Sequence, residues 1–133
     1  MIIVDTSVWI DFFKGLDTPE TLALDSALGD EDVAIGDLIL LEILQGFRTD
    51  KDYKIAKDHL KTLHQFNMLT PELAIKAADN YRKLRKQGIT IRKTADVIIA
   101  TFCIENRIPL LYTDKDFISF TKPLKLRSVT EKT

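Results

Sequence analysis

Asp5 directly follows the β-branched run Ile2, Ile3 and Val4, and Asp114 follows the apolar residues Leu110, Leu111 and Tyr112, so two carboxylates close two predicted strands. In an open parallel sheet, ligands collect outside the carboxyl ends of the strands. Two further acids map to the same edge. Asp96 falls in the first turn of a helix expected from about Thr94 to Asn106, which runs antiparallel to the strands and begins at that edge. Glu42 lies several residues into a helix opening near Asp37, roughly 7 Å below the edge at about 1.5 Å per residue. Its longer side chain can span that distance. Asp116 follows Asp114 closely and joins the group as an outer candidate.

Taken singly, Asp5 and Asp114 also fit helix N-caps, and Asp96 fits a favourable helix dipole. Glu42 resists such a reading because it interrupts Leu38, Ile39, Leu40, Leu41, Ile43 and Leu44, where a carboxylate is partly buried. A buried carboxylate must be protonated, paired or metal-bound. No Lys or Arg lies within five residues of Glu42 on its own helix. Carboxylates crowded at one place repel, and a hard divalent cation with oxygen ligands, Mg²⁺ or Mn²⁺, relieves that repulsion. A carboxylate-bound Mg²⁺ keeps waters and binds substrate phosphate, which suits phosphodiester hydrolysis by an activated water.

Charge distribution points to a polyanion or an acidic partner, against the plainer reading of a solvated helix face. The net charge is only −1, but residues 1–32 carry eight acids and one base. By contrast, Arg82, Lys83, Arg85, Lys86, Arg92 and Lys93 occur within residues 80–95 without a single acid. This basic stretch ends three residues before Asp96, so Arg85, Lys86, Arg92 and Lys93 are the candidates for holding nucleic-acid phosphates on the way to the metal.

The elements that must position these groups are short. Strands are expected at residues 2–4, 33–35, 66–69 and 110–112, with a terminal strand around 124–129. Helices alternate with them. The first opens near Asp5 and carries Val8, Trp9, Phe12 and Phe13 at core spacing. Thr18-Pro19 and Thr70-Pro71 are N-cap and first-turn pairs, and a helix from Asp50 to about Gln65 repeats Ile55, His59 and Leu63 every four residues. A short helix is expected near residues 116–120. The pattern specifies an α/β domain with a mostly parallel central sheet. At 133 residues, 45% apolar and 29% charged, the chain has the size and composition of one folded domain over residues 1–133. No apolar run reaches the length of a membrane span, so a cytoplasmic protein without membrane contact is expected. The single cysteine, Cys103, lies in an apolar helix and reads as core packing. His59 and His64, five apart on the expected helix, do not share a face as metal ligands would.

The segments VDTSVWIDFF (4–13), LLEILQGF (40–47) and TADVIIATFCIENRIPLLYTDKDF (94–117) together resemble the PIN-domain family, in particular the VapC toxin ribonucleases of bacterial toxin–antitoxin pairs. The resemblance spans nearly the whole chain, with the acids in the family's order and approximate spacing. It implies a three-layer α/β/α sandwich and a Mg²⁺- or Mn²⁺-dependent endoribonuclease. It also implies a homodimer and inhibition by a cognate VapB antitoxin. Carried over by position, Asp5, Glu42, Asp96 and Asp114 form the catalytic and metal-binding quartet, Asp116 is an outer ligand, and Thr6 and Thr113 lend hydroxyl support. Two alternatives compete with this reading. A haloacid-dehalogenase-like phosphatase needs an acid two residues after its first-strand Asp, where this chain has Ser7. A non-catalytic interaction domain on the same fold has no need to retain all four acids.

Overall fold

The computed structural model describes residues 1–130. Among them, four strands form one parallel sheet: β1 (Ile2–Val4), β2 (Val33–Gly36), β3 (His64–Phe66) and β4 (Leu110–Leu111), in the order β3-β2-β1-β4. Ile2 pairs with Val33, Ile3 with Leu110, and Ala34 with His64. β1 and most of β2 and β4 are sealed on both faces, with Ile3, Val4, Ala34, Ile35, Leu110 and Leu111 all buried. That explains why these strands read as unbroken apolar runs instead of alternating ones.

Helices α1 (Thr6–Phe13) and α2 (Pro19–Gly29) join β1 to β2; α3 (Asp37–Gln45) and α4 (Asp50–Leu60) join β2 to β3. α5 (Pro71–Lys86) and α6 (Thr94–Asn106) then carry the chain from one edge of the sheet across to β4. Right-handed crossovers put α1–α4 on one face and α5 and α6 on the other, completing the three-layer α/β/α sandwich. Contacts follow this division, with α1 packed on α2 and α3, α3 on α4, and α5 on α6. The strand order reverses between β1 and β4, the place where open sheets form a ligand crevice.

The expected cap pairs form. The Thr18 side chain accepts from the Thr21 N–H while the Thr21 hydroxyl accepts from the Thr18 N–H, with Pro19 opening α2. Thr70 likewise caps α5 through Leu73 N–H, ahead of Pro71. Each cap contributes about 1 kcal/mol.

Three expected elements are corrected. α4 ends at Leu60 instead of Gln65, because its buried face is Ala56 and Leu60, while Ile55 is 57% exposed. The Gln65 side-chain amide donates to the carbonyls of Leu60 and Leu63, and Thr62 donates to His59, which satisfies the helix end. β3 consequently spans residues 64–66, upstream of the expected 66–69, and His64 lies in a strand instead of a helix. The terminal strand around 124–129 reduces to one parallel bridge from Ser128 to Leu110, because residues 121–124 are helical (α7, Thr121–Leu124) and Lys125 takes a left-handed conformation. The expected short helix near 116–120 forms as a 3₁₀ turn, Lys115–Phe120.

One junction couples packing to the site. Gly36 ends β2 and is the N-cap of α3, the helix that carries Glu42, and a Cβ there would meet the Met68 sulfur at 2.2 Å. Met68 is itself fully buried. Gly36→Ala should therefore destabilise the protein by about 1–3 kcal/mol through overpacking. In a urea-denaturation double-mutant cycle, combining it with Met68→Ala should cost less than the sum of the two single changes.

Candidate active site

The end of β1 delivers Asp5 into the crevice. Its backbone N–H donates to the Leu111 carbonyl at 2.9 Å, which fixes it against β4. Asp5 occupies the N-cap position of α1, yet its side chain makes no capping bond. Instead it accepts from Ser7 Oγ at 2.9 Å. Ser7 Oγ also lies 3.0 Å from Thr113 Oγ1. Because the one proton of Ser7 goes to the carboxylate, Thr113 donates to Ser7. This chain of hydroxyls ties the ends of β1 and β4 together. The neighbouring Thr6 Oγ1 donates to Glu42 Oε1 at 2.8 Å and draws the α3 carboxylate towards the same edge.

On the other side, α6 presents Asp96 in its first turn, 6% exposed. Its Oδ2 is buried without a hydrogen-bond partner. One carboxylate oxygen from each of Asp96, Asp114 and Asp116 lies within 4.8 Å of the others. Asp116, assigned an outer place by sequence, thus belongs to the tightest trio. Asp114 also accepts from the Asp116 N–H at 2.9 Å, which orients the 3₁₀ turn that carries both.

The electrostatics unite all four sequence-assigned acids. Burial, reinforced by the negative charges of Asp5, Asp114 and Glu42 and partly offset by Lys93, pushes the Asp96 carboxyl up to about 7. Burial, reinforced by Glu42 and opposed by the Ser7 hydroxyl and the nearby N–H groups of Thr6 and Ser7, leaves the Asp5 carboxyl raised to about 6. An orphaned buried oxygen facing several carboxylates is what a divalent cation would satisfy, and the donor set is all oxygen, as Mg²⁺ and Mn²⁺ take. The residues fit such an ion.

Two of the four basic candidates lie beside this cluster, and the other two lie on α5. Lys93 is the N-cap residue of α6 and Arg92 Nε lies 4.0 Å from Asp116 Oδ2. Arg85 places its guanidinium over the Tyr81 ring, 5.5 Å from the centroid. Lys86 is exposed in the last turn of α5. His59 and His64 lie apart from the crevice, lining a separate depression with Met1 and Glu31. Cys103 is buried, and burial pushes its thiol far above its ordinary range, as core packing requires. Ser7 is the functional residue that sequence reasoning missed; a second hydroxyl straight after Asp5-Thr6 was its only signal.

The family model of the PIN domain matches residues 2–123. The chain belongs to the PIN domain family. This PIN domain is 28% identical over 119 residues to Ribonuclease VapC11 of Mycobacterium tuberculosis, covering 88% of this chain and 89% of that protein. It is 30% identical over 126 residues to Ribonuclease VapC1 of Methanocaldococcus jannaschii, covering 95% and 85% respectively. Its fold matches VapBC2 from Rickettsia felis bound to a promoter DNA fragment, with a TM-score of 0.74 at 18% identity over 96% of this chain and 97% of that one. A toxin–antitoxin complex from Klebsiella pneumoniae superposes with a TM-score of 0.71 at 19% identity, over 99% and 100% of the two chains. The α/β/α arrangement expected from sequence is the PIN domain fold.

The raised carboxyls set a pH dependence whose sign is fixed. Asp5 and Asp96 bind protons more tightly in the folded PIN domain than in the unfolded chain, where carboxyls titrate near 3.8. Their contribution to stability is therefore greatest below about pH 4 and is lost as pH rises through about 6 to 7. Melts in EDTA should show this contribution as a decline in Tm from pH 5 to pH 8. Asp96→Asn should flatten that decline and leave Tm at pH 8 equal to or above wild type, because it removes one repelling charge and keeps the shape. A large loss of stability in this variant would make Asp96 a structural partner instead.

Proposed function

We propose that this PIN domain is a Mg²⁺- or Mn²⁺-dependent endoribonuclease, the toxin of a type II toxin–antitoxin pair. The observation that carries the reading is the buried, unpartnered Asp96 Oδ2 among the mutually repelling carboxylates of Asp5, Glu42 and Asp114. Asp5, Glu42, Asp96 and Asp114 would hold the ion, with Asp116 beside them. A divalent ion at such a site lowers the pKa of a water and neutralises charge on a phosphodiester.

The remaining work falls to groups of the chain itself. Thr6 holds Glu42, and Thr113 holds Asp5 through Ser7, so that the carboxylates converge before any ion arrives. Such outer hydroxyls fix the orientation of ligating groups. Arg85, Lys86, Arg92 and Lys93 would bind the RNA backbone, each as a counter-charge to phosphate. The relatives named above support the ribonuclease activity, and the structural neighbours, solved as VapBC and toxin–antitoxin complexes, support a VapB-type antitoxin as partner. A homodimer and a cytoplasmic location complete the proposal.

Three measurements test it. RNA cleavage should require added Mn²⁺ or Mg²⁺, vanish in EDTA, and be abolished by Asp5→Asn, Glu42→Gln, Asp96→Asn or Asp114→Asn. Cleavage that survives complete chelation would sink the metal-nuclease reading. Thr6→Val should weaken Mn²⁺ affinity by about 10–100-fold, read by calorimetry on the RNA-free protein. Replacing Lys86, Arg92 and Lys93 together by Gln should reduce the slope of log affinity for RNA against log salt by about 2, since each lost contact with a single strand removes about 0.7.

A further inference from the structure

The far end of α6 holds a second charged depression, remote from the acids. Arg107 caps this helix about 16 Å along its axis from Asp96, at about 1.5 Å per residue. Arg107, Lys125 and Arg127 line a pocket of about 310 Å³ there, over a floor that includes Ile104, Leu124 and the buried Cys103. All three cations are exposed, and none forms an ion pair among the described residues. The nearby acid Glu105 is engaged by Lys76 at 2.7 Å. Their backbones are fixed. The Leu110 N–H of β4 donates to the Arg127 carbonyl at 2.9 Å, the Leu126 N–H donates to the Phe120 carbonyl at 3.1 Å, and the Arg127 guanidinium donates to the Arg107 carbonyl. Arg107 and Lys125 also share a left-handed conformation, with φ of 55° and 65°. Gly or Asn is the usual residue in that conformation at a helix end. Two cations therefore stand where a relaxed backbone calls for a small residue, and both line one pocket.

Closing the helix does not require this much charge. The C-terminus of α6 carries about half a negative charge, and Arg127 already serves the Arg107 carbonyl. Three full positive charges far exceed that need. We propose that this pocket binds a small phosphorylated molecule, with its phosphate groups held by Arg107, Lys125 and Arg127 above the apolar floor. Guanidinium forks match phosphate oxygens in geometry and charge, whereas a single carboxylate would leave most of the positive charge unmatched. A concave site with an apolar floor and a few convergent polar groups has the form of a small-molecule pocket. An RNA backbone is matched better by the cations that follow one another along α5. The pocket lies at the opposite end of α6 from the carboxylates, so its occupancy stands apart from the nuclease reading.

The test is calorimetry on the whole chain in EDTA, with pyrophosphate and adenosine diphosphate as probes. Both should bind saturably at one site per chain. Arg107→Gly and Lys125→Gly should each raise both Kd values about tenfold, the effect of one lost charge-assisted hydrogen bond. Tm without probe should stay equal to wild type or rise in both variants, because glycine takes the left-handed conformation without strain. Arg85→Gln, on α5, should leave both Kd values unchanged. Arg107→Asn and Lys125→Asn, which also tolerate that conformation, replace the glycine variants should these not fold. The absence of saturable binding overturns the proposal. So does a loss of pyrophosphate affinity on Arg85→Gln equal to that on Lys125→Gly, which would reduce the response to general charge. A large fall in Tm with unchanged Kd values assigns the cations to the helix end and overturns it as well. A single-stranded RNA 12-mer whose binding weakens on Lys125→Gly more than that of adenosine diphosphate assigns the pocket to RNA, with the same consequence.

Discussion

Repulsion among carboxylates held partly out of water governs this molecule. Asp5, Glu42, Asp96 and Asp114 come from four separate segments and meet at the carboxyl ends of β1 and β4. Burial alone disfavours the charged form of Asp5 and Asp96, and each neighbouring acid adds to the penalty. A fold built only for stability would place apolar or amide side chains there. Retaining the acids keeps the metal-free protein under electrostatic strain that a divalent cation would relieve, so that ion binding and folded-state stability are linked.

The scaffold opposes that repulsion with local hydrogen bonds. The first two residues of α1 do not use their hydroxyls as helix caps; Thr6 reaches Glu42 on α3, and Ser7 bridges Asp5 to Thr113 beyond β4. Three elements are thereby locked around the crevice by groups that cost little space. The sheet behind them is rigid because β1 is buried on both faces and paired on both sides. A shift of the β1 backbone would disturb Ile3 and Val4 in the core as well as the acid that follows them.

Charge of the opposite sign is kept close to the acids without neutralising them. Lys93 lowers the proton affinity of Asp96, and Arg92 reaches only to 4.0 Å from Asp116, while the rest of the basic stretch turns along α5. Acids and cations are thus held side by side as separate groups. A net charge of −1 therefore conceals an acidic segment over residues 1–32 and a basic one within residues 80–95.

Local chemistry determined much of this from the sequence. The β-branched run before Asp5, the Thr-Pro pairs that open α2 and α5, and the apolar stretch of α6 specify their elements through neighbours a few residues away, and the acids at their ends follow. Glu42 was legible because an acid among six apolar residues has no local partner. Tertiary structure decided what depends on distant contacts. The apolar spacing of Ile55, His59 and Leu63 suggested one face of α4, but the sheet buries Ala56 and Leu60 instead, and β3 moved with it. The C-terminal segment had strand-like composition, yet only Ser128 finds a pairing partner in β4. Within the site, Thr6 and Ser7 look alike in sequence; that one serves Glu42 and the other Asp5 and Thr113 is set by partners 36 and 106 residues away. Spacing along a chain fixes which face a side chain takes, whereas the identity of its partner is fixed only when the layers close on one another.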